Sequence, residues 1–515
     1  MNKKKTVRTV YGIAFFLQLA AEVFAAYVLY RLNMLPDKLM YAAVAGLVLL
    51  LCLTAGLMFI RSKRSKRHHK YVTTTGIIGL VLSVIITGCA VFGSYLAVRV
   101  NRTVEKVTTP PQVSDTIGVY VLANDPAQLI QDAKGYTFAT TSAYDAENSQ
   151  KTVEAIQEQL GTEIATKEYD SVFAMIDALY EEEVGAMILN EAYAGILTDV
   201  EDYADFDLKT RILYEYDITR PEPSKENEQE EQNEEKNEEN SEAKPVQNIA
   251  VDPFVVYLSG SDTRNQMLAT SRSDTNILMV VNPSTHEILL VNTPRDYYVP
   301  ISVGGGAYDK LTHCGIYGID CSMDTLSALY GIDINYYAQI NFTGFEKLID
   351  EIGGITVYSE QAWSNRGYDF VEGDNFMLGA KALVFARERY AFQSGDNQRG
   401  KNQMKVVSAV IDKATTSATL IQNYSGILES LEGMFATDIP SSDISELVKL
   451  QLSEGVHWDI HSYAVTGQGG NETTFSMPTT PSYVMFQNKE LVQKGSDLMN
   501  RVLNGEKLSD ADVAQ

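Results

Sequence analysis

Apolar residues crowd the first hundred positions into three long stretches, Tyr11 to Tyr30, Tyr41 to Ile60 and Val72 to Val98. Each is close to the roughly 20 residues needed to cross about 30 Å of hydrocarbon, so the pattern predicts three transmembrane helices. Three spans place the two ends of the chain on opposite sides. Basic residues gather before the first span (Lys3, Lys4, Lys5, Arg8) and between the second and third (Arg61, Lys63, Arg64, Lys66, Arg67, Lys70), while the Arg31 to Lys38 loop is nearly neutral. The positive-inside rule then puts the N-terminus in the cytoplasm and everything after Val98 outside. The first stretch is long for the apolar core of a signal peptide, and no small-residue cleavage site follows it. Glu22 interrupts that span; it either marks a partner or ion path, or faces a neighbouring helix.

Beyond the membrane the period shortens. An apolar run at Ile117 to Leu122, helical spacing through Thr152 to Leu160 and Ser171 to Tyr180, and a strand at Val184 to Leu189 predict a small α/β domain within 101–218. Its order loosely resembles one lobe of the periplasmic solute-binding fold, with Thr140, Thr141 and Ser142 in the place of a ligand-facing polar loop. Pro221 to Pro245 then runs almost entirely in Glu, Asn, Gln, Ser and Lys, which cannot bury enough apolar surface to offset ordering entropy. A disordered linker over 219–248 follows from that composition. Strands resume at Phe254 to Leu258, Thr275 to Val281 and Glu287 to Val291, opening a domain expected over 249–415, with a helical and strand extension over 416–515.

The turn-rich Asn282-Pro283-Ser284-Thr285 joins the last two of those strands as a hairpin. Pairing Asn282 roughly with His286 carries Asp274 to the end of the sheet where Pro294, Arg295 and Asp296 lie, and Asp262, in the loop after the preceding strand, can reach the same edge. Further on, Gly379 to Tyr390 reads as a helix with Arg387 and Arg389 in its last turn. Asp396 is placed to cap a helix to about Ala414, on which Arg399 and Gln403 share a face. Arg387 and Arg389 could simply complement a helix C-terminus. Asp296 is open to two roles, a general base or a salt-bridge partner of Arg295.

Charge narrows the chemistry. With 42 Lys and Arg against 67 Asp and Glu, the net charge of −25 leaves no basic excess for displacing counterions from a nucleic acid, so no nucleic-acid partner is expected. Four cysteines exclude a disulfide-built scaffold. Cys52 and Cys89 fall in spans, whereas Cys314 and Cys321, outside the cell, are expected to form a disulfide; His313 beside them lacks the partners of a metal site. Guanidinium forks match phosphate oxygens, and paired carboxylates suit Mg²⁺ held together with phosphates. The combination points to a diphosphate, whose phosphoryl transfer needs positioning and charge neutralisation rather than a nucleophilic side chain.

Ser271-Arg272-Ser273-Asp274-Thr275, Thr293-Pro294-Arg295-Asp296, Ala386-Arg387-Glu388-Arg389 and the Asp396, Arg399, Gln403 helix start closely resemble the LytR-CpsA-Psr family over about Phe254 to Ala414, with a weaker match near Ser462 to Leu503. The resemblance implies a central mixed β-sheet flanked by helices, anchored in the cell membrane of a Gram-positive-type envelope with its catalytic domain extracellular. It implies transfer of a glycopolymer such as teichoic acid or capsular polysaccharide from a polyprenyl-pyrophosphate carrier to peptidoglycan, with pyrophosphatase activity possible on the side. It makes Asp262 and Asp274 the Mg²⁺ carboxylates, Arg295, Arg387, Arg389 and Arg399 the pyrophosphate clamp, and Gln403 a polar neighbour. Leu278, Val280, Leu289, Phe345, Leu348, Leu383 and Phe385 then line either an apolar lipid tunnel or an ordinary core. Two places depart from the family pattern: Tyr297, Tyr298 and Val299 replace a further basic residue, and Asn402 a second arginine. Extra spans and the domain before the linker are departures too. The other class compatible with these residues is a non-catalytic polyprenyl-pyrophosphate binder or envelope sensor.

Overall fold

The computed structural model describes residues 3–32, 37–59, 74–108, 114–141, 145–197, 200–203, 205–219, 246–261, 271–393, 395–415, 427, 430–478 and 480–514. The basic loop at Arg61 to Lys70, the linker from Pro221 to Pro245, Ser142 and Asp262 lie outside these residues.

Three N-terminal helices, α1 (Lys3–Leu32), α2 (Asp37–Phe59) and α3 (Thr74–Thr108), pack together and are long and apolar enough to cross a membrane. Phe16, Leu17, Leu49, Ile85 and Phe92 point outward, as hydrocarbon surroundings favour. Glu22 points inward and is only 4% exposed. Gln18 Nε2 donates to its carboxylate at 2.8 Å, and Thr54 Oγ1 of α2 donates to Gln18 Oε1 at 2.9 Å. The acidic side chain is thus buried within the helix bundle, linked through Gln18 to Thr54 of the neighbouring helix.

The first α/β unit contains β1 (Ser114–Leu122), β2 (Thr137–Thr141), α4 (Ala146–Leu160), β3 (Ala165–Tyr169), α5 (Val172–Tyr180), β4 (Ala186–Asn190) and β5 (Thr210–Thr219). Its sheet runs β3-β2-β4-β1-β5, with β2 parallel to β3 and β4, and β1 antiparallel to β4 and β5. Val153 and Ile156 of α4 pack on one face with Ile117 and Val119, while Met175 and Ile176 of α5 pack on the other with Tyr120 and Met187. Alternation in β1 sends successive residues to opposite faces, which is why one strand feeds both cores.

The second unit is built on β6 (Phe254–Ser261), β7 (Ser273–Asn282), β8 (Glu287–Asn292), β9 (Tyr298–Pro300), β10 (Tyr308–Lys310), α6 (Cys314–Tyr317), α7 (Ile319–Tyr330), β11 (Tyr336–Asn341), α8 (Phe342–Glu351), α9 (Gly379–Arg387), α10 (Asp396–Ala414), β12 (Phe435–Thr437), β13 (Asp459–Ala464) and α11 (Lys489–Leu503). Six strands form a mixed sheet, β12-β11-β6-β7-β8-β13, in which β11 is parallel to β6 and β13 to β8. Val255, Tyr257, Leu278, Val280 and Leu289 pack toward α7 and α11, and Phe254, Val256, Ile277 and Leu290 toward α10. Helices on both faces explain strands that read as unbroken apolar runs. The β7–β8 hairpin forms as expected, but Asn282 pairs with Glu287 rather than His286. His286 takes a left-handed φ of 59° to finish the turn, and Asn282 Oδ1 accepts from Ser284 N and Thr285 N.

The expected Cys314–Cys321 disulfide is not formed. Both thiols are free and buried in the core between α6 and α7, where Cys314 also reaches Thr325 Oγ1 at 3.6 Å. A hydrogen bond from Cys314 brings Cys321 down to about 7, while that same contact and burial push Cys314 up.

Candidate diphosphate and lipid site

The sheet delivers its polar residues to one end. Ser261 ends β6, Asn292 ends β8 and Asn341 ends β11, while β7 starts there at Ser273. Asp274 sits one residue into β7 and Arg295 three residues past β8. Their side chains meet, Arg295 Nη1 donating to Asp274 Oδ1 at 2.7 Å. The second donor helix, α10, comes close because residue 400 is glycine: a Cβ there would lie 2.2 Å from Asn292 Nδ2. That approach brings Arg399 Nη2 to 3.3 Å from the Asp274 carbonyl oxygen and sets Gln403 one turn along.

The α9 helix is expected to reach Tyr390 but stops at Arg387. Glu388 turns extended, its Oε1 accepting from Tyr390 N and Ala391 N and its Oε2 from Asn365 Nδ2. This buried carboxylate holds the Arg387-Glu388-Arg389 corner. Arg387 lies over the Phe342 ring at 4.3 Å, and Arg389 Nε is 3.1 Å from Asp396 Oδ1, which Arg399 Nη2 also approaches at 3.1 Å.

Between them lies a cavity of about 480 Å³ lined by Asp274, Arg295, Arg387, Arg389, Arg399 and Gln403. The expected clamp, Arg295, Arg387, Arg389 and Arg399, therefore lines one cavity with Gln403 and Asp274, and apart from it stands Asp296. Its carboxylate does not line the cavity but lies 3.6 Å from Arg295 Nε, so of its two open roles the geometry matches the salt bridge. Arg272 and Arg366 also line the cavity and were not singled out by sequence. Arg272 stood inside a quoted motif. Arg366 sits at φ 49° in the turn before Gly367, and an Asn-Arg-Gly turn between short aromatic strands was the available signal.

The electrostatics are those of an anion site. Burial opposes ionisation of Asp274, but Arg295, Arg399 and Arg272 outweigh it and hold its carboxyl well below the usual range. Burial brings the Arg399 guanidinium down to about 10 against the pull of Asp396 and Asp274. Arg399 Nε is buried with no hydrogen-bond partner among the described residues, a donor available to an anion.

Behind this cavity is a second, apolar one of about 260 Å³ between the sheet and α8, α9 and α10. Phe345, Leu348 and Leu383 line it, with Met279, Val406 and Val410. Leu278, Val280 and Leu289 instead fill the core on the other face, and Phe385 the core among Trp363, Phe370 and Val406. The two cavities share Thr275, Phe342, Leu383, Arg387 and Gln403. An amphiphile with a charged head and a hydrocarbon tail could occupy both.

Mg²⁺ characteristically binds one or two carboxylates together with phosphate oxygens. Asp274 fits that mode beside a diphosphate, although Arg295 already engages its Oδ1. No group of three His, Cys, Asp or Glu that could hold a metal by itself occurs among the described residues.

Residues 221–493 match the profile of the LytR_cpsA_psr family. The polyisoprenyl-teichoic acid–peptidoglycan teichoic acid transferase TagU of Enterococcus faecalis is 32% identical over 253 residues, covering 49% of this chain and 80% of the relative. A transferase of the same description from Halalkalibacterium halodurans is 35% identical over 222 residues, covering 43% and 71%. Among solved structures, B. subtilis TagV aligns with 50% of this chain and 99% of its own, at 21% identity and a TM-score of 0.42.

Proposed function

This chain belongs to the LytR_cpsA_psr family, and from that premise we propose that it is a membrane-anchored phosphotransferase moving a teichoic acid-type glycopolymer from a polyprenyl-pyrophosphate carrier onto peptidoglycan. The observation that carries the reading is the shared wall between the guanidinium cavity and the apolar one, with Arg387 in both. The diphosphate sits among Arg295, Arg387, Arg389 and Arg399, and the first isoprenes enter the space lined by Phe345, Leu348 and Leu383. A sugar hydroxyl of the acceptor attacks the glycan-linked phosphorus, the bond from that phosphorus to the bridging oxygen breaks, and polyprenyl phosphate leaves, its freed oxygen taking up the hydroxyl proton. The arginines bear the charge that grows on the phosphoryl and leaving oxygens, a contribution made by prearranged donors without a covalent intermediate. Asp274 and Asp262 would hold Mg²⁺, which when bound neutralises diphosphate charge. With water in place of the sugar hydroxyl the same site would hydrolyse the carrier's pyrophosphate.

The membrane arrangement supports this. Phe435, which lines the apolar cavity, belongs to β12, and β12 packs against α3. Lys449 Nζ lies 2.7 Å from Asp37 Oδ1 at the head of α2. The second α/β unit therefore shares a side with the α1–α2 connection, opposite the basic N-terminus, which is the outer side by the positive-inside rule.

The test uses the full chain in lipid nanodiscs with a lipid-linked glycopolymer and peptidoglycan. Arg387→Ala should lower Mg²⁺-dependent polymer attachment by about 100-fold or more with an unchanged melting temperature. Attachment equal to wild type would overturn the reading, and carrier binding without transfer or hydrolysis by wild type would replace it with a non-catalytic binder.

A further inference from the structure

A larger cavity, about 820 Å³, opens where the first α/β unit meets the second, and nothing in the transfer reaction described above uses it. The units are joined there by apolar packing, since Ile316 and Met477 of the second unit complete the core that contains Met175 and Leu189 of the first. The wall is aromatic: Tyr193 from the first unit, and Tyr298, Tyr308, Tyr317 and Phe475 from the second. These rings are fixed. Tyr298 and Tyr308 lie 5.0 Å apart, Tyr298 Oη donates to the Thr473 carbonyl at 2.9 Å, and Phe475 N donates to the Tyr308 carbonyl at 2.8 Å. Tyr317 meets Ser476 Oγ at 2.9 Å and the Phe475 ring at 5.9 Å. Tyr308 and Phe475 nevertheless keep 47% and 36% of their surface exposed.

At the other end stand Asp145 and Asn190, with Asn190 Nδ2 donating to Asp145 Oδ2 at 2.6 Å. Asn190 closes β4 at the end of the sheet where parallel β2 also stops, the edge at which open α/β sheets take ligands. Among the described residues no lysine or arginine lines the cavity. Fixed aromatic faces suit the C–H faces of sugar rings, a carboxylate and an amide suit hydroxyls, and the lack of cations disfavours a phosphate-bearing ligand.

The cavity also lies next to the diphosphate site. Thr312 N donates to the Arg295 carbonyl at 2.8 Å, and Thr312 Oγ1 is 3.5 Å from Asp274 Oδ1. Gly315 is wedged against the strand start, where a Cβ would come within 2.5 Å of the Ser271 carbonyl oxygen. Ile316 and Tyr317, the next two residues, line the aromatic cavity. A single turn of chain thus separates the two.

We infer that the inter-domain cavity is a binding site for neutral saccharide rings, placed to hold a glycan beside the diphosphate clamp. This rests on the proposed transferase reading and adds to it the recognition of sugar by the first unit. The rings could belong to the transferred glycan next to the pyrophosphate or to the acceptor glycan strand.

The full chain in nanodiscs separates these sources when titrated with chitotetraose, with bare polyprenyl pyrophosphate and with polyprenyl pyrophosphate bearing a neutral disaccharide. Tyr308→Ala and Phe475→Ala should each weaken sugar binding about tenfold, whereas Tyr308→Phe, which keeps the ring, should retain it. Loss of chitotetraose binding identifies the acceptor strand. Loss of the disaccharide's affinity advantage over bare carrier identifies the transferred glycan. The inference is overturned if wild type shows neither sugar effect, or if both alanine variants keep them at full strength. Bare carrier reads the arginine clamp alone, so its failure to bind counts against the transferase reading while chitotetraose still reports on the cavity.

Discussion

The two α/β units solve the same packing problem and differ in what they place at the end of the sheet. Each covers both faces of a mixed sheet with helices, and each ends parallel strands at an open edge. In the second unit that edge collects arginines around Asp274; in the first it presents Asp145 and Asn190 toward aromatic rings. The fold is common to both edges, and the ligand class is set by side chains. The difference also has an energetic side. Charges at the second edge are buried in mutual contact, so each depends on the others, whereas at the first edge neutral amide donors, Asn148 and Asn190, meet the Asp145 carboxylate.

The strongest way to break the contrast is to remove the anion on which the guanidinium cluster depends. Asp274→Ala leaves the buried Arg295 without the carboxylate that its Nη1 engages, and Arg399 without a nearby negative charge, and should cost about 3–5 kcal/mol of stability, read as a lower melting temperature of the full chain. Inorganic pyrophosphate should then stabilise the variant more than the wild type, since the added anion replaces the lost charge. Equal melting temperatures with and without the carboxylate would show that the cluster is held by packing alone. The sign with pH follows from the depressed Asp274 carboxyl: its contribution is present above the ordinary aspartate value and is lost as pH falls below it.

A smaller effect probes how the edge is assembled. Gly400→Ala should force α10 away from Asn292 and cost about 1–3 kcal/mol, with a drop in carrier affinity because Arg399 and Gln403 ride on that helix. Calorimetric titration of polyprenyl pyrophosphate checks it, and an unaltered affinity would mean that Asn292 yields without moving the helix.

These two residues also show what the sequence could disclose. Asp274 and Arg295 were legible because a short turn between two apolar strands fixes which residues come to the same end, a local rule. Arg399 and Gln403 were legible from helical spacing behind a polar start. Arg366 was not, because its place depends on Asn365 docking against Glu388, 23 residues away. The aromatic cavity was hidden for the same reason on a larger scale: its walls come from positions 145 to 478 and exist only once two units pack. The thiol pair misled because an expected place outside the cell suits a bridge, and only the packing shows two buried free thiols. Leu278 and Leu383 were equivalent as apolar letters; the face of the sheet decided that one fills the core and the other lines the cavity.

The mildest prediction concerns the first edge. Glu191 follows Asn190 directly, and its Oε1 is buried with no hydrogen-bond partner among the described residues. Burial first, then repulsion from Glu215 and Asp217, pushes its carboxyl up from the usual 4.5 to about 7. A folded carboxyl that holds its proton longer than the unfolded one makes the native state the larger proton binder between those two values, so stability must fall as pH rises through that window and stay reduced above it. Glu191→Gln removes the titration and should raise stability on the order of 1 kcal/mol near pH 8, after discounting for partial solvent screening, with no gain near pH 4. Melting curves of the full chain across that range read the slope directly. Parallel curves for variant and wild type would mean that solvent reaches this carboxylate and that burial does not hold its proton.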